Sequence, residues 1–413
     1  MRPFLAVVPL MAMLLGAMPA LHVLPDASSP IAVAAFSVPA GLDRQTDSEN
    51  GLAAFTAYAI LEGNVSDGTS LLDAVTAQGG TISVDVTSRA SLFTITALPD
   101  RFASVVALFA QSLQHPDFSP VTMAHTRAAV LAQFAESQRN GALIAEQMID
   151  GVQAAVNESA ATPLGLPATI VAIRSSNVEK FFTQNYRRNG AAIVATDVKT
   201  QAAIAALLDA LAPGTPAKIR GEARPLIGAS RELQAVRSHA SLAYVLSFPA
   251  PGPRDMAAPA AFVFAQMLQT AIAQLAELPD IPSRSLTDGA IDVTYDYLHA
   301  PARYVVTIDG SLGNASRVVS VTMGLAKAFS SLRFKGNVNR FIAIARGRML
   351  EGARTPTARV EMSAQFLAAG LPLDQLAIFD RELGNVDAAM LEHAARGLRS
   401  APTIAVVGSV DGN

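Results

Sequence analysis

Cysteine is absent from this 413-residue chain, which excludes disulfides, thiolate nucleophiles and cysteine-held zinc or iron–sulfur sites. Histidine is scarce, occurring six times at positions 22, 115, 125, 239, 299 and 393. No two of these stand in an H-x-H or H-x-x-x-H spacing, so no short segment offers the paired imidazoles of a zinc site. Charge is thin as well. Only 16% of residues are Asp, Glu, Lys or Arg, and the net charge is −3. Without a basic excess, the electrostatic footprint of a nucleic-acid-binding protein is missing. The chain also lacks a G-x-S-x-G elbow, an S-x-x-K pair and a glycine loop followed by Lys-Ser/Thr. Those absences argue against the common serine nucleophiles and against a phosphate loop.

What remains is apolar. Hydrophobic residues make up 51% of the chain and mean hydropathy is +0.32, so there is ample surface to bury and disorder is not expected. A length prior of roughly 150 residues per domain gives two or three domains. The first residues, "MRPFLAVVPLMAMLLGAMPA", carry one early charge (Arg2), an apolar core from Phe4 to Ala17, and small residues near Ala17 and Ala20. This is the pattern of a secretory signal peptide. Apolar character continues to about Leu24, so an uncleaved membrane anchor is the other reading. Residues 1–24 are assigned to one or the other. Either places the protein in the periplasm or outside the cell, or anchored facing the periplasm. Contact with a membrane is expected only if this segment is uncleaved.

An internal repeat organises the rest. "FSVPAGLDRQ" (36–45) matches "LSFPAPGPRD" (246–255), "SLFTITALPDRF" (91–102) matches "RYVVTIDGSLGN" (303–314), and "NGAAIVATDV" (189–198) matches "APTIAVVGSV" (401–410). Three pairs in one order, offset by about 210 residues, indicate two copies of one fold. The copies are placed at 31–211 and 236–413, with the Pro- and Gly-rich stretch 212–235 as linker. Within the first copy, "IAVAAFSV" reads as a strand and "GLAAFTAYAILEG" as a helix ended by Gly63. "LLDAVTAQGG" reads as a second helix, and "TISVDVTS" and "SLFTITAL" alternate with period two as antiparallel strands do. Ser119 is expected to cap a helix with Pro120 at its first position. Ser176 and Glu179 offer a capping box for another. The fold class is α+β: two homologous α/β-sandwich domains, each a mixed, mainly antiparallel sheet with helices on one face.

These segments resemble the pitrilysin/insulinase metallopeptidases, the inverzincins that carry H-x-x-E-H. Asn50-Gly51-Leu52-Ala53 and the helix after it are similar to the family's zinc-binding helix. "QHPDFSPVTMAHTRAAVLAQF", "TPLGLPATIVAI" and "NYRRNGAAIVATDV" are similar to three further family segments in the family's order. In that family two histidines one helical turn apart share a zinc ion with a distant glutamate, and the glutamate within the motif takes a proton from zinc-bound water. Carried over by position, the first histidine falls on Ala54, the base on Ala57, the second histidine on Tyr58 and the third ligand on or near Gln133. Alanine offers no donor atom, and tyrosine and glutamine are poor zinc ligands.

The resemblance therefore implies no catalytic residue, metal or cofactor in this chain. Zinc is expected instead in a partner, a zinc-bearing insulinase-like homologue forming a heterodimer that encloses and cleaves peptide. Zinc-free chains of such bacterial pairs contribute an arginine and a tyrosine to hold substrate. The arginine falls on Arg284, whereas the tyrosine position holds Ile291, with Tyr295 the nearest substitute. The alternative is a non-enzymatic scaffold or binding protein of the same fold. The chain is not expected to be an active peptidase alone.

Overall fold

The computed structural model describes residues 20–24, 26, 29–66, 68–153, 163–196, 201–218, 231–237, 239–276, 290–299, 301–310, 315–329 and 338–408. In the first half, strands β1 (Ala20–Val23) and β2 (Ala32–Val38), a short hairpin of β3 (Asn64–Ser66) and β4 (Thr69–Ser70), β5 (Thr81–Val86), β6 (Ser91–Ala97) and β7 (Ala192–Ala195) alternate with helices. The helices are α1 (Leu52–Glu62), α2 (Leu71–Ala77), α3 (Pro99–Gln114), α4 (Pro120–Ser137), α5 (Gly141–Gln153), α6 (Pro167–Ala172), α7 (Ser175–Asn185) and α8 (Gln201–Ala210). The second half holds β8 (Arg231–Val236), β9 (Ala243–Pro249), α9 (Ala258–Ala276), β10 (Ile291–Asp296), β11 (Arg303–Asp309), α10 (Ala315–Phe329), α11 (Asn339–Gly352), α12 (Pro356–Ala368), α13 (Gln375–Leu383), α14 (Ala388–Ala394) and β12 (Thr403–Gly408).

Five strands form each main sheet, ordered β1-β7-β2-β6-β5 and, read from the matching end, β8-β12-β9-β11-β10. The repeat segments fall on equivalent strands: β2 with β9, β6 with β11, β7 with β12. The central pairings are antiparallel, and the first strand of each half runs parallel to its last, β1 on β7 and β8 on β12. Two mixed, mainly antiparallel sheets covered by helices are therefore the architecture.

Strand alternation sends side chains to both faces of each sheet. On one face of the first sheet, Phe36 and Phe93 join α1 and α3 in a core where Phe109 stands edge-on to Phe36, ring centres 5.7 Å apart. On the other face Val33, Ala35, Leu92 and Val194 meet Val360 and Ala364 of α12. The second sheet repeats this. Leu246, Phe248, Tyr304 and Val306 pack under α9, whereas Val245, Val305, Ala405 and Val407 meet Ile144, Ala145 and Ile149 of α5. Each half thus lends one helix to the other half's sheet.

The structure departs from the sequence reading in four places. Helices cover both faces of each sheet rather than one, because central strands such as β2 are buried at every position and neither face can be left wet. Residues 20–23, read as the end of the apolar N-terminal segment, form β1 by pairing with β7. Arg231–Val236, within the stretch read as linker, forms β8 because β12 offers it a parallel edge. The Ser176–Glu179 capping box is replaced by a helix starting two residues earlier: Asn177 Oδ1 accepts the Arg174 N–H at 3.0 Å, and Ser175 Oγ reaches Glu179 at 3.1 Å. Ser119 caps α4 as read, accepting from the Thr122 N–H, with Pro120 following.

Ile149 is 1% exposed between α5 and the second sheet. Ile149→Ala is expected to cost about 2–5 kcal/mol and to lower the urea midpoint. A change under about 0.5 kcal/mol, the range of ordinary surface substitutions, would mean that α5 does not bear on that sheet in solution.

Candidate functional site

The site lies where α1 meets α4. Gly51 enters α1 at φ +90°, and a Cβ there would come within 2.6 Å of the Leu164 carbonyl oxygen, so only glycine fits. Buried Gln45 accepts the Ala53 N–H at 2.9 Å, satisfying one of the first-turn donors that a helix leaves open. The helix is then buried along most of its length, with Ala54 1% and Ala57 0% exposed. Both methyls belong to the first-half core. Tyr58, one turn after Ala54, is only half-buried and points its hydroxyl out of that core.

Tyr58 donates that hydroxyl to Oε1 of Gln133 on α4. The residues onto which the resemblance carries the second histidine and the third ligand are therefore in direct contact across 75 positions of sequence. Two anchors set this geometry. Arg127 of α4 sits over the Phe55 ring of α1, 5.7 Å from its centre, and donates to the Ile173 carbonyl at 2.8 Å. Asp117, in the turn before α4, ties that turn to the end of α1. It accepts the Asn64 side-chain amide at 2.6 Å, the Thr122 hydroxyl at 2.7 Å and the Ser119 N–H at 2.9 Å. Burial alone would raise the Asp117 pKa, but these donors outweigh it and hold the carboxyl at about 2.

Charge around the pair comes from both halves of the chain. Burial raises the Tyr58 pKa above its ordinary value, the Gln133 hydrogen bond opposes this, and the negative charge of Asp85 adds to it. Asp85 lies on β5 and keeps more than a third of its surface open. Neighbouring atoms still crowd its carboxyl enough to raise its pKa; the Val86 N–H counters that, and Glu361 of α12 reinforces it. Sequence reasoning missed both acids. Asp85 shares the exposed face of β5 with Thr81 and Ser83, so its alternation was a usable signal. Glu361 arrives on the helix lent by the second half, for which local sequence carries no sign.

This donor set does not fit zinc. Two of the four positions are buried methyls, and the third is a phenol kept neutral by its surroundings and already bound to the fourth. Among the described residues, no group of three or more His, Asp or Glu is placed to hold a metal ion. Arg284 lies outside the described residues. Tyr295 does not take the substrate-facing role expected of it. It is 4% exposed, gives its hydroxyl to the Pro251 carbonyl at 2.6 Å, and stacks among Phe262, Tyr297 and Tyr304 in the second-half core. It shares the inward face of β10 with Ile291 and Val293, and that face turns to α9 rather than to a cleft.

Two measurements check this geometry. The ultraviolet difference titration between wild type and Tyr58→Phe is expected to show Tyr58 ionising above the ordinary tyrosine value of 10.0; a midpoint at or below that value would contradict the arrangement. Asp117→Ala is expected to destabilise the chain by about 2 kcal/mol. Because the folded pKa is depressed, that contribution should be present above the ordinary carboxyl value of 3.8 and fade as pH falls toward 2. Denaturation at pH 7 and at pH 2 reads the difference.

Comparison with known proteins bears on the same region. Residues 22–164, which hold all four positions, match the sequence pattern of the family described as Insulinase (Peptidase family M16). No curated protein matches the chain in sequence. Among solved structures it is similar to a peptidase M16 inactive domain from Pseudomonas fluorescens, with TM-score 0.75 and 16% identity over 96% of this chain and 97% of that one. It is also similar to a protease from Helicobacter pylori (TM-score 0.77, 12% identity, 94% and 96% covered). A chain of complex III2 from Candida albicans, bound to Inz-5, aligns with TM-score 0.70 and 12% identity over 94% and 93%. At these identities the structures speak for the fold, and the sequence match speaks for the family. Residues 22–164 thus carry the sequence pattern of the insulinase family of peptidases, and nearly the whole chain shares the fold of these solved structures.

Proposed function

We propose that this chain is a catalytically silent subunit of a two-chain insulinase-type peptidase, working beside a zinc-bearing homologue. The observation that carries the reading is the Tyr58–Gln133 hydrogen bond, which joins the two residues the resemblance sets at ligand positions, while Ala54 and Ala57, which it sets at the other ligand and the base, are buried methyls. A solved neighbour of the same fold being a peptidase M16 inactive domain supports it. In this reading zinc and the base belong to the partner, and the two chains enclose a peptide between them. Among the described residues β5 is the outer strand of its sheet, paired with β6, and its exposed face carries Thr81, Ser83 and Asp85. An extended peptide could add to that edge as a further strand, the main chain supplying affinity and the side-chain pockets selectivity. Arg284 is proposed to hold substrate, and the apolar N-terminal segment to carry the chain to the periplasm or outside the cell, as signal or as anchor.

A second reading is a non-enzymatic scaffold, supported by the similarity to a chain of complex III2. One set of assays separates the two. The isolated chain should cleave no peptide, and adding a homologue that carries H-x-x-E-H should give cleavage that neither chain gives alone. Arg284→Ala should then lower kcat/KM of the pair about tenfold, or about 1.4 kcal/mol. Stoichiometric zinc with peptidase activity in the lone chain would overturn both readings. Stable complexes whose partner's activity is indifferent to this chain would favour the scaffold.

A further inference from the structure

α5, the helix that the first half lays on the second sheet, ends in a cluster of charged groups. Asp150 accepts from Arg303 Nη1 on β11, and Arg303 Nε donates to Asp296 of β10 at 3.1 Å. The Arg303 side chain is only 7% exposed. Above it sits His299, in the turn between β10 and β11, with 11% of its side chain exposed. Its Nδ1 lies 2.7 Å from the Pro301 carbonyl oxygen and its Nε2 lies 3.4 Å from Asp150 Oδ1. A carbonyl oxygen only accepts, so Nδ1 carries a proton. In the neutral ring, Nε2 would then turn a lone pair toward a carboxylate. Only the imidazolium presents an N–H to both partners.

We propose that His299 is a proton-operated pin between the two halves of the chain: the imidazolium holds Asp150, and with it α5, on the second sheet, and loss of its proton loosens that contact. The charged groups acting on its ring are Asp150 of α5 and Arg303 of β11, Asp296 of β10 accepts its backbone N–H, and Glu146 of α5 and Asp292 of β10 lie in the field of the same cluster. Gln153 completes the contact without charge, donating to Thr403 at 2.8 Å and accepting from Ser247 at 2.7 Å.

The electrostatics of the cluster agree in sign. Burial pulls the His299 pKa down, but the hydrogen bond and charge of Asp150 and the Pro301 carbonyl outweigh burial and the opposing Arg303, so the pKa is raised. A raised histidine contributes stability fully below its ordinary value of 6.5 and loses it as pH rises through the higher folded value. Asp150 runs the other way. Burial opposes its ionisation, but His299 and Arg303 hold its pKa below 3.8, so its contribution is present above that value and lost only as pH falls through the depressed one. Burial raises the Glu146 pKa; Arg303 counters this, and Asp150, Asp296 and Asp292 add to it, so protonation of Glu146 also favours docking in mild acid. The contact is tightest between the carboxylate range and neutrality.

Hydrogen–deuterium exchange of the full chain reads this directly, with rates corrected for the intrinsic pH dependence of exchange. Protection of the segment 141–153 is expected to fall severalfold as pH rises from the histidine range into mild alkali, while the segment 356–368 changes little. In His299→Gln the fall should vanish. Protection of 141–153 that ignores pH, or a fall that persists in His299→Gln, overturns the proposal. Should that variant fail to fold, the imidazole Cε1–H titration of His299 in the wild-type chain decides: a midpoint above 6.5 supports the pin, and one at or below it overturns it.

Discussion

Both faces of each sheet are apolar, and this molecule is organised around covering them. β2 is buried at all of its positions, and Val245 and Val305 in the second sheet turn apolar side chains away from their own half's core. Each such side chain is worth about 1.5–3 kcal/mol when taken out of water. A half that covered only one face would leave several such groups wet. The exchange of α5 and α12 resolves this with the same device twice, and it makes the boundary between the halves part of both cores. Each exchanged helix also carries a charged group across that boundary: Asp150 of α5 meets Arg303, and Arg359 of α12 meets Asp26.

The contact between Tyr58 and Gln133 follows from local packing. α1 is pressed into the core by its alanines, and α4 is set against it by Asp117 and Arg127, so the outward Tyr58 of α1 meets Gln133. A hydrated metal site needs several donors converging on an open position. Here the same backbone instead holds a dry packing of methyls, closed by one hydrogen bond. Glu361 approaches Asp85 because α12 is borrowed from the second half, so the electrostatics of this corner belong to both copies.

Much of this was legible beforehand. The repeat placed β2, β6 and β7 opposite β9, β11 and β12, since strands buried in equivalent places carry equivalent apolar runs. The resemblance placed Ala54, Ala57, Tyr58 and Gln133 at one site, and the structure brings Tyr58 and Gln133 together. What escaped was non-local. No period distinguishes a helix that covers its own sheet from one that covers its neighbour's, so α5 and α12 read as ordinary amphipathic segments. β1 and β8 escaped because short edge strands draw their pairing from a partner far along the chain: Leu21–Val23 from β7, and Arg231–Val236 from β12. Tyr295 misled because alternation along β10 tells which residues share a face, but not whether that face meets a cleft or α9.

The exchanged helices also bear on the history of the chain. A duplicated domain that folds alone can be discarded when its chemistry is lost, because its twin stands without it. Here neither copy stands alone: removing the first would strip α5 from the second sheet, and removing the second would strip α12 from the first. Deletion of either copy would therefore uncover a face of its sibling's sheet. Mutual dependence of this kind ties the retention of each copy to the apolar surface it covers, whatever chemistry either copy performs.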